Sequence, residues 1–299
     1  MPSPSDVLVS VCLPVRNGGS RLPAVVASVL AQDHPNLELV ISDNASTDDT
    51  QDVARELATK DDRIVYVRQP ENVGLLNNFI SAMRRSRGTF FRWVSYDDWI
   101  APNCLSQCLR EFLADERLVL VTMGVEFVHN DGTVKTADYT SRALASDDPL
   151  ERFEEMLRLL NESYLLIDPL YGLMRRETVL PIPRRNMLRE DQIFATKLAL
   201  AGPWGHVREV LGRRGYTDDT RRQLVRRLGV PAWTARAATT LQRQELMRFI
   251  NGAALTPGQR GRARAAVRRW YVIRQRHDIS HRALRLATLA RVAPRRGGA

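Results

Sequence analysis

The chain has 299 residues and a formal net charge of +10, from 44 basic and 34 acidic residues. Hydrophobic residues make up 44% of it, which is enough for a packed core and excludes general disorder. The positive charge is concentrated at one end: from Arg221 onward there are 19 Arg, no Lys and two acids, or +17, which leaves −7 for residues 1–220. The sequence therefore consists of an acidic body followed by a strongly basic C-terminal region.

Cysteine content and hydropathy indicate a cytoplasmic location. The three cysteines, Cys12, Cys104 and Cys108, are too few for a disulfide framework. Cys104 and Cys108 have helical spacing, but no second pair of Cys or His completes a zinc-site pattern, so we expect buried structural thiols. The first residues lack the basic and apolar regions of a signal peptide, and no apolar run approaches the roughly 20 residues that span a bilayer.

Short apolar runs alternate with helical patterns through the first 115 residues. The runs predict strands at residues 8–13, 37–42, 64–67 and 90–95, and the patterns between them predict helices at residues 20–31, 47–58, 75–85 and 103–113. Ser46 is the expected N-cap of the second helix. Strands that alternate with helices of this length form βαβ units, so we expect an α/β fold with a mostly parallel sheet flanked by helices.

The rest of the chain has a looser pattern. It predicts strands at residues 118–123 and 125–129, a hairpin turn at 130–132, helices at 149–160 and 189–201, and an apolar segment at 165–174. Beyond residue 220 the sequence is helical in character and is broken into about three helices at Pro231 and Pro257. We therefore expect a main domain at residues 1–219 and a helical basic extension at residues 220–299.

Polar or turn-forming residues follow each of the first four predicted strands. They are Pro14, Arg16 and Asn17 after the first strand, Asp43 and Asn44 after the second, Arg68, Asn72 and Gly74 after the third, and Asp97 and Asp98 after the fourth. In open parallel sheets, ligands bind beyond the carboxyl ends of the strands. We therefore expect these four loops to form one site.

The adjacent carboxylates of Asp97 and Asp98 have two interpretations. Neighbouring carboxylates repel each other unless a cation neutralises them, and hard oxygen ligands suit Mg²⁺ or Mn²⁺ bound together with substrate phosphates. The same pair can instead cap the helix that follows it. The local sequence leaves both interpretations open.

The other candidates also have two interpretations each. Asp43 and Asn44 can accept hydrogen bonds from a nucleobase or a ribose, or form an Asx turn that leads into the helix. Arg68 suits a phosphate or base contact, whereas Gly74 at a helix entry meets a backbone requirement. The acidic pair at residues 190–191 opens a predicted helix, where it favours the helix dipole; a carboxylate there can instead act as a general base.

Five segments together resemble the glycosyltransferase family 2 pattern in their order and spacing. They are VSVCLPVRNGG, ISDNASTDDT, RQPENVGLLNN, the Y-D-D-W segment and the later R-E-D-Q segment, and the resemblance covers approximately residues 7–215. It implies a Rossmann-like GT-A fold and an inverting transfer from a nucleotide-diphosphate sugar, with Mg²⁺ or Mn²⁺ as cofactor. It also implies a nucleotide-sugar half at about residues 1–128 and an acceptor half at about residues 129–219.

The resemblance also implies roles for single residues. Asp98 matches the metal ligand, and Asp97 is implied to contact the ribose or the metal-bound diphosphate. Asp191 matches the catalytic base. The residues implied to surround the nucleotide are Pro14, Arg16, Asn17, Asp43, Asn44, Arg68, Asn72 and Gly74.

Three features depart from the family pattern. Only two acids are present in the segment Ser95-Tyr96-Asp97-Asp98, residues 213–216 lack the His that is frequent there, and no processive-type Gln-x-x-Arg-Trp motif occurs. We therefore expect a non-processive enzyme of hexosyltransferase type. It would add one sugar to a hydroxyl of a glycan or lipid-linked acceptor in the synthesis of a cell-envelope glycan, polysaccharide or glycolipid.

The basic C-terminal region has three interpretations. Its helices can pack on the main domain and expose Arg to solvent. A basic face with Trp270 and Tyr271 can instead lie on an anionic leaflet, which would make the enzyme peripheral to the inner face of the membrane and bring it close to a lipid-linked acceptor. Nucleic-acid binding has the same electrostatic footprint but no recognised motif, so it is the least favoured.

A different class of function also fits the sequence. The alternative is a non-catalytic nucleotide-sugar-binding protein, or a nucleotidyltransferase-like protein, with a basic anchoring tail. The chain has no Gly-rich G-x-G-x-R-like start, which argues against nucleotidyl transfer. Nothing in the sequence indicates an oligomeric state.

Overall fold

The computed structural model of the chain describes residues 6–162, 168–216 and 220–292, with side chains as far as residue 277 apart from that of Tyr216. Within these residues, nine strands form one sheet in the order β3-β2-β1-β4-β8-β6-β9-β5, with β7 paired to β6. Helices cover the sheet, so the α/β prediction is confirmed. Part of the predicted apolar segment, residues 165–167, lies outside the described residues.

The strands and helices have the following bounds. The strands are β1 Val9–Val15, β2 Leu37–Asp43, β3 Ile64–Arg68, β4 Phe90–Trp93, β5 Trp99–Ile100, β6 Leu120–His129, β7 Val134–Lys135, β8 Leu173–Arg175 and β9 Trp204–Tyr216. The helices are α1 Leu22–Leu30, α2 Thr50–Lys60, α3 Leu75–Arg85, α4 Cys104–Ala114, α5 Pro149–Glu162, α6 Arg176–Val179, α7 Glu190–Ala201, α8 Arg221–Leu228, α9 Thr234–Gly252 and α10 Pro257–Val292.

Strands β1 to β4 form the parallel half of the sheet. β1 pairs in parallel with β2 and β4, and β2 pairs in parallel with β3. Every residue of β1 and β2 is buried, because helices cover both faces of the sheet here. The carboxyl ends of all four strands therefore meet at one edge, as the sequence predicts. At that edge Val15 is in register with Asp43, and Asp43 with Arg68.

The other half of the sheet is mixed. β8 is antiparallel to β4 and β6, whereas β9 is parallel to β6 and antiparallel to β5. The two strands predicted at residues 118–123 and 125–129 are one strand, β6, with a register shift on each side of Gly124. A Cβ at Gly124 would lie 2.8 Å from the carbonyl oxygen of Glu209, so the irregular pairing needs glycine there.

The start of α2 differs from the prediction. The helix begins at Thr50 with Asp49 as its N-cap residue, so the prediction of Ser46 as N-cap is wrong. The Ser46 hydroxyl is engaged elsewhere, because it donates to Asp43 Oδ1 at 2.6 Å and accepts from the backbone N–H of Asn17 at 2.9 Å. The residues between β2 and α2 therefore form a loop that ties the ends of β1 and β2 together.

The C-terminal helices pack against α5 and α7. As predicted, they are three helices separated near Pro231 and Pro257. Side chains of α9 and α10 share a buried cluster with α5 and α7, which includes Leu150, Phe153, Ile193, Leu246, Ile250, Val267 and Trp270. Trp270 is only 2% exposed, so the predicted basic face that carries Trp270 is wrong: the indole packs inward because it fills this apolar cluster.

Two further predictions concern the core and the hydropathy. Cys12, Cys104 and Cys108 are all buried with free thiols, which confirms the expectation of buried cysteines. Within the described part of the chain, no helix combines the length and apolar character that crossing a membrane requires.

Candidate active site

Asp43 lies at the centre of the first part of the site, at the end of β2. Its carboxylate is completely buried and accepts four hydrogen bonds. Oδ1 accepts from the backbone N–H and the hydroxyl of Ser46 at 2.9 and 2.6 Å, and Oδ2 accepts from the Tyr66 hydroxyl and from Arg68 Nη1, both at 2.8 Å. Asp43 therefore organises the loop and orients Arg68, which keeps about a third of its side chain exposed.

A chain of amide hydrogen bonds joins the second loop to the third. Asn44 Nδ2 donates to Asn72 Oδ1 at 2.8 Å, and Asn44 Oδ1 accepts from the backbone N–H of Val73 at 2.8 Å. Asn72 Oδ1 also accepts from the N–H of Gly74 at 3.0 Å. Gly74 has φ of +87°, a conformation that favours glycine, and it is the N-cap residue of α3. Two amide side chains thus fix the entry to α3.

The first loop completes this edge of the site. Asn17 has φ of +52°, and its Oδ1 accepts from the backbone N–H of Thr47 at 2.9 Å. Arg16 is exposed, whereas Pro14 is buried inside β1 in register with Ser42. The loop meets the Y-D-D segment at Gly18, where a Cβ would lie 3.2 Å from Tyr96 Cγ. The four predicted loops are therefore brought together.

The two acids of the Y-D-D segment have different environments. Asp97 is exposed and lies beside Gly215, where a Cβ would be 3.1 Å from Asp97 Oδ2. Asp98 is 7% exposed; it accepts from the backbone N–H of Ser95 at 2.8 Å and from Arg214 Nε at 3.1 Å. Burial raises the pKa of the Asp98 carboxyl, and the Arg214 charge partly opposes the rise. Asp98 is thus neutralised by a guanidinium within the protein.

Arg214, near the end of β9, connects three parts of the chain. Besides Asp98, it forms an ion pair with Asp168, and its Cζ lies 3.5 Å from the centre of the Tyr171 ring. The sequence interpretation did not select Arg214, Asp168 or Tyr171. The one available signal was the Arg pair at residues 213–214 in the segment that lacks His. An arginine held between two carboxylates and an aromatic face is fixed in orientation.

Asp191 lies in the first turn of α7 and is solvent-accessible. Desolvation of its carboxyl nevertheless raises its pKa to about 6. The charges of Glu190 and Asp168 add to the rise, and the Arg184 guanidinium opposes it. The influence of Asp168 links Asp191 electrostatically to the Asp98–Arg214 pair. A carboxyl with this pKa accepts a proton well near neutral pH.

Glu190, the neighbour of Asp191, is paired with an arginine in the core. Arg184 donates to it through Nε at 2.7 Å and through Nη2 at 2.5 Å. The Arg184 guanidinium lies over Phe194 and Trp93, with its Cζ 4.3 and 5.2 Å from the ring centres. The two acids at residues 190–191 therefore have separate roles: Glu190 anchors the segment, and Asp191 remains accessible.

Residues 10–179 match the sequence profile described as Glycosyl transferase family 2. The chain belongs to this family.

Relatives of this family 2 protein include bacterial proteins of several sizes. EpsH of Bacillus subtilis (strain 168) is 30% identical over 193 residues, which cover 62% of this chain and 54% of EpsH. The chondroitin synthase of Pasteurella multocida (strain Pm70) is 30% identical over 132 residues, which cover 44% of this chain and 14% of the synthase. The chain thus spans about half the length of EpsH and much less of the synthase.

Solved structures confirm that this family 2 protein has the GT-A fold. S. aureus TarS 1-349 in complex with UDP-GlcNAc has a TM-score of 0.61 at 15% identity, covering 88% of this chain and 72% of that one. The mannosyltransferase PcManGT from Pyrobaculum calidifontis, in complex with GDP-Man and Mn²⁺, has a TM-score of 0.54 at 18% identity, covering 99% of this chain and 83% of that one. The predicted family and fold are both confirmed.

The acid pair of this family 2 protein fits the divalent metal that its fold implies. Asp97 is exposed, and each Asp98 oxygen accepts one hydrogen bond, which leaves it a second lone pair. Within the described residues no group of three or more His, Cys, Asp or Glu side chains is arranged to hold a metal. Such a small set of oxygen ligands suits Mg²⁺ or Mn²⁺, because these ions use one or two carboxylates together with substrate phosphates.

Proposed function

We propose that this chain is an inverting, non-processive glycosyltransferase of hexosyltransferase type. It moves one sugar from a nucleotide-diphosphate sugar to a hydroxyl of an acceptor. The observation that carries the proposal is the combination of two features: the acid pair of exposed Asp97 and Arg214-paired Asp98, and an accessible carboxyl, Asp191, whose pKa is raised to about 6. With a divalent cation the first suits a departing diphosphate, and the second suits proton removal from the attacking hydroxyl.

The donor would bind along the four loops. Asn17, Asp43, Asn44, Asn72 and Gly74 hold the loop backbones in place through their hydrogen bonds. Arg16, which is exposed, and Arg68, which keeps about a third of its side chain exposed, would contact the base, ribose or phosphates, and Pro14 shapes the end of β1. The complexes of TarS with UDP and UDP-GlcNAc, and of PcManGT with GDP-Man, support a donor of this class.

Charge determines the chemistry around the leaving group. Asp97 and Asp98 would hold Mg²⁺ or Mn²⁺, which supplies positive charge to the departing nucleotide diphosphate. The Mn²⁺ in the PcManGT complex supports this cofactor class. Arg214 pairs with both Asp98 and Asp168, so its single positive charge offsets part of the negative charge that these two acids present to the diphosphate. Asp97 contributes the exposed carboxylate of the pair.

Asp191 would act as the base on the acceptor. Its carboxylate takes the proton of the acceptor hydroxyl while the oxygen attacks the anomeric carbon from the face opposite the leaving group, which inverts that centre. The acceptor is proposed to be a glycan or lipid-linked glycan of the cell envelope. Relatives named as chondroitin synthase and hyaluronan synthase support a glycan acceptor.

A basic face of α10 suits a peripheral position on the inner membrane surface. Arg268, Arg269 and Arg276 are exposed there and flank Val272 and Ile273, which are 47% and 38% exposed. Guanidinium groups beside exposed aliphatic side chains are complementary to an anionic bilayer surface, with its phosphate headgroups and shallow apolar layer. We propose that this face docks the enzyme on anionic lipid, beside a lipid-linked acceptor.

The central experiment is a transfer assay with a panel of UDP-, dTDP- and GDP-sugars, with and without Mn²⁺, using the intact chain and Asp191→Asn. We expect one class of donor to be consumed in a metal-dependent reaction, and Asp191→Asn to bind that donor without consuming it. Donor binding without any turnover by the intact chain would favour the non-catalytic nucleotide-sugar-binding alternative. No binding of any donor would refute both.

A further inference from the structure

Gln242, in the C-terminal helix α9, is bonded to both sides of the proposed base. Its side chain is 1% exposed. Nε2 donates to Gln192 Oε1 at 3.1 Å, and Oε1 accepts from Arg189 Nη1 at 3.3 Å. Arg189 and Gln192 bracket the first turn of α7, which contains Asp191. One buried amide thus connects the C-terminal helices to the segment that carries the carboxyl.

The segment needs external support because its backbone is strained. Arg189 is the N-cap residue of α7 and has φ of +60°, in the left-handed region that non-glycine residues rarely occupy. No side chain caps the helix at this position. Arg189 is held in this conformation by its own side chain, which donates to Thr239 Oγ1 at 3.2 Å as well as to Gln242. Both partners belong to α9.

A second set of contacts fixes α9 against α7. Lys197 Nζ donates to Glu245 Oε1 at 3.0 Å and to the carbonyl of Pro183 at 2.6 Å, and both charged side chains are buried. Glu245 also pairs with Arg185. The bond between Lys197 and Glu245 lies about two helical turns further along α7 than Asp191. Gln242 is therefore presented from a helix that cannot easily shift relative to α7.

We propose that Gln242 is a positioning residue for Asp191, so that helix α9 of the basic C-terminal region completes the catalytic site. The inference rests on the proposed role of Asp191 as the base. Gln242 acts through Arg189 and Gln192, which set the direction of the first turn of α7. A carboxyl displaced by a fraction of an ångström still permits donor binding but aligns poorly with the acceptor hydroxyl.

The test is the variant Gln242→Leu, which keeps the volume and removes both hydrogen bonds. We expect kcat to fall by roughly tenfold or more, with the donor KM and the Kd for the nucleoside diphosphate unchanged. The matched control is Gln244→Leu, the same change at an exposed position of the same helix, which should leave kcat unchanged. Thermal unfolding of both variants shows whether the fold is intact.

A second variant keeps the proposal testable if Gln242→Leu unfolds. Gln192→Leu removes one of the two bonds from the α7 side and leaves α9 intact. Gln192→Leu alone should lower kcat with the donor KM unchanged, and where Gln242→Leu is folded the double variant should lose less kcat than the product of the two single losses. Full kcat in Gln242→Leu, or in Gln192→Leu if Gln242→Leu does not fold, would overturn the inference. If Asp191→Asn is itself active, the proposed base fails instead, so the two failures are distinguishable.

Discussion

Arg214 donates through Nε to Asp98 Oδ1 at 3.1 Å, although 116 positions separate the two residues. Asp98 is almost fully buried, and Arg214 is 21% exposed in its side chain. A buried carboxylate is costly unless it is paired and hydrogen-bonded. The ion pair therefore lowers the cost of placing an acid inside the sheet edge, beside the predicted site for a diphosphate.

Removal of Arg214 is expected to destabilise the protein. Arg214→Met leaves the buried Asp98 without its counter-charge and Asp168 without its partner, and losing one partner of a buried ion pair costs about 3–5 kcal/mol. We expect a loss of this size in the free energy of unfolding, measured with urea. Turnover should also fall, because without Arg214 the negative charges of Asp98 and Asp168 repel the diphosphate of the donor more strongly.

The adjacent arginine provides the control. Arg213 forms an ion pair with Glu126 in which its own side chain is 58% exposed. Exposed pairs contribute only about 0–1 kcal/mol, so Arg213→Met should unfold almost as the intact chain does. Equal destabilisation by both substitutions would contradict a special role for the Arg214–Asp98 pair.

The raised pKa of Asp191, about 6, predicts the pH dependence of transfer. A general base must be deprotonated, so kcat should fall as the pH drops below about 6 and level off above it. Asp191→Asn should lower kcat by roughly 10²- to 10⁴-fold with the donor Kd unchanged. A pH profile of kcat and calorimetric donor binding test the two expectations. If kcat instead fell only below about pH 4, the profile would be inconsistent with this carboxyl as the base.

The effect of substitution on the melting temperature distinguishes a carboxyl with a raised pKa, such as Asp191, from an acid that only stabilises a helix terminus. Because the pKa of Asp191 is higher in the folded protein than in the unfolded chain, folding is favoured when the carboxyl is protonated and loses that support as the pH rises through 6. Asp191→Asn should therefore raise the melting temperature at pH 7.5. Asp52, an exposed acid in the first turn of α2, is the control: Asp52→Asn should lower stability slightly, as loss of a helix-dipole contact does.

The parallel half of the fold could be predicted because its sequence signals are local. Helix α3 has the predicted bounds, since an amphipathic pattern between Gly74 and Ser86 defines it without tertiary help. The start of α2 could not be predicted, because Ser46 has the residue type of a helix cap but bonds to Asp43 and Asn17 instead. A long-range contact outweighed a local preference there.

The candidate site could be predicted only where it follows the strands. Asp97 and Asp98 lie four and five residues beyond the end of β4, so the carboxyl-edge rule for parallel sheets located them. Arg214 and Asp168 reach the same point through the pairing of β5, β8 and β9, an arrangement without a local sequence pattern. Gln242 likewise could not be selected from the sequence, where it is one of several polar residues on a helix. Only the packing of α9 on α7 shows that it contacts Gln192.

Asp97 is a better position than Asp98 for testing metal binding. Because Asp97 is exposed, its substitution should not change the stability of the fold. Asp97→Asn should weaken Mn²⁺ binding in the presence of a nucleoside diphosphate by roughly tenfold, with an unchanged melting temperature. Electron paramagnetic resonance of free Mn²⁺ measures this binding without reference to turnover. Asp62, an exposed acid remote from the sheet edge, provides the control substitution Asp62→Asn. Unaltered Mn²⁺ binding by Asp97→Asn would remove Asp97 from the metal site.

The basic face of α10 predicts salt-sensitive binding to anionic vesicles. Each Arg near such a surface contributes about 1 kcal/mol, so replacing Arg268, Arg269 and Arg276 together by Gln should weaken binding roughly a hundredfold. Co-sedimentation with phosphatidylglycerol vesicles, at low and high salt, measures the change. The control replaces Arg55, Arg85 and Arg110, which are exposed on α2, α3 and α4, and alters net charge equally. Equal weakening by both triple variants would indicate net charge alone, and no vesicle binding by the intact chain would exclude the docking face.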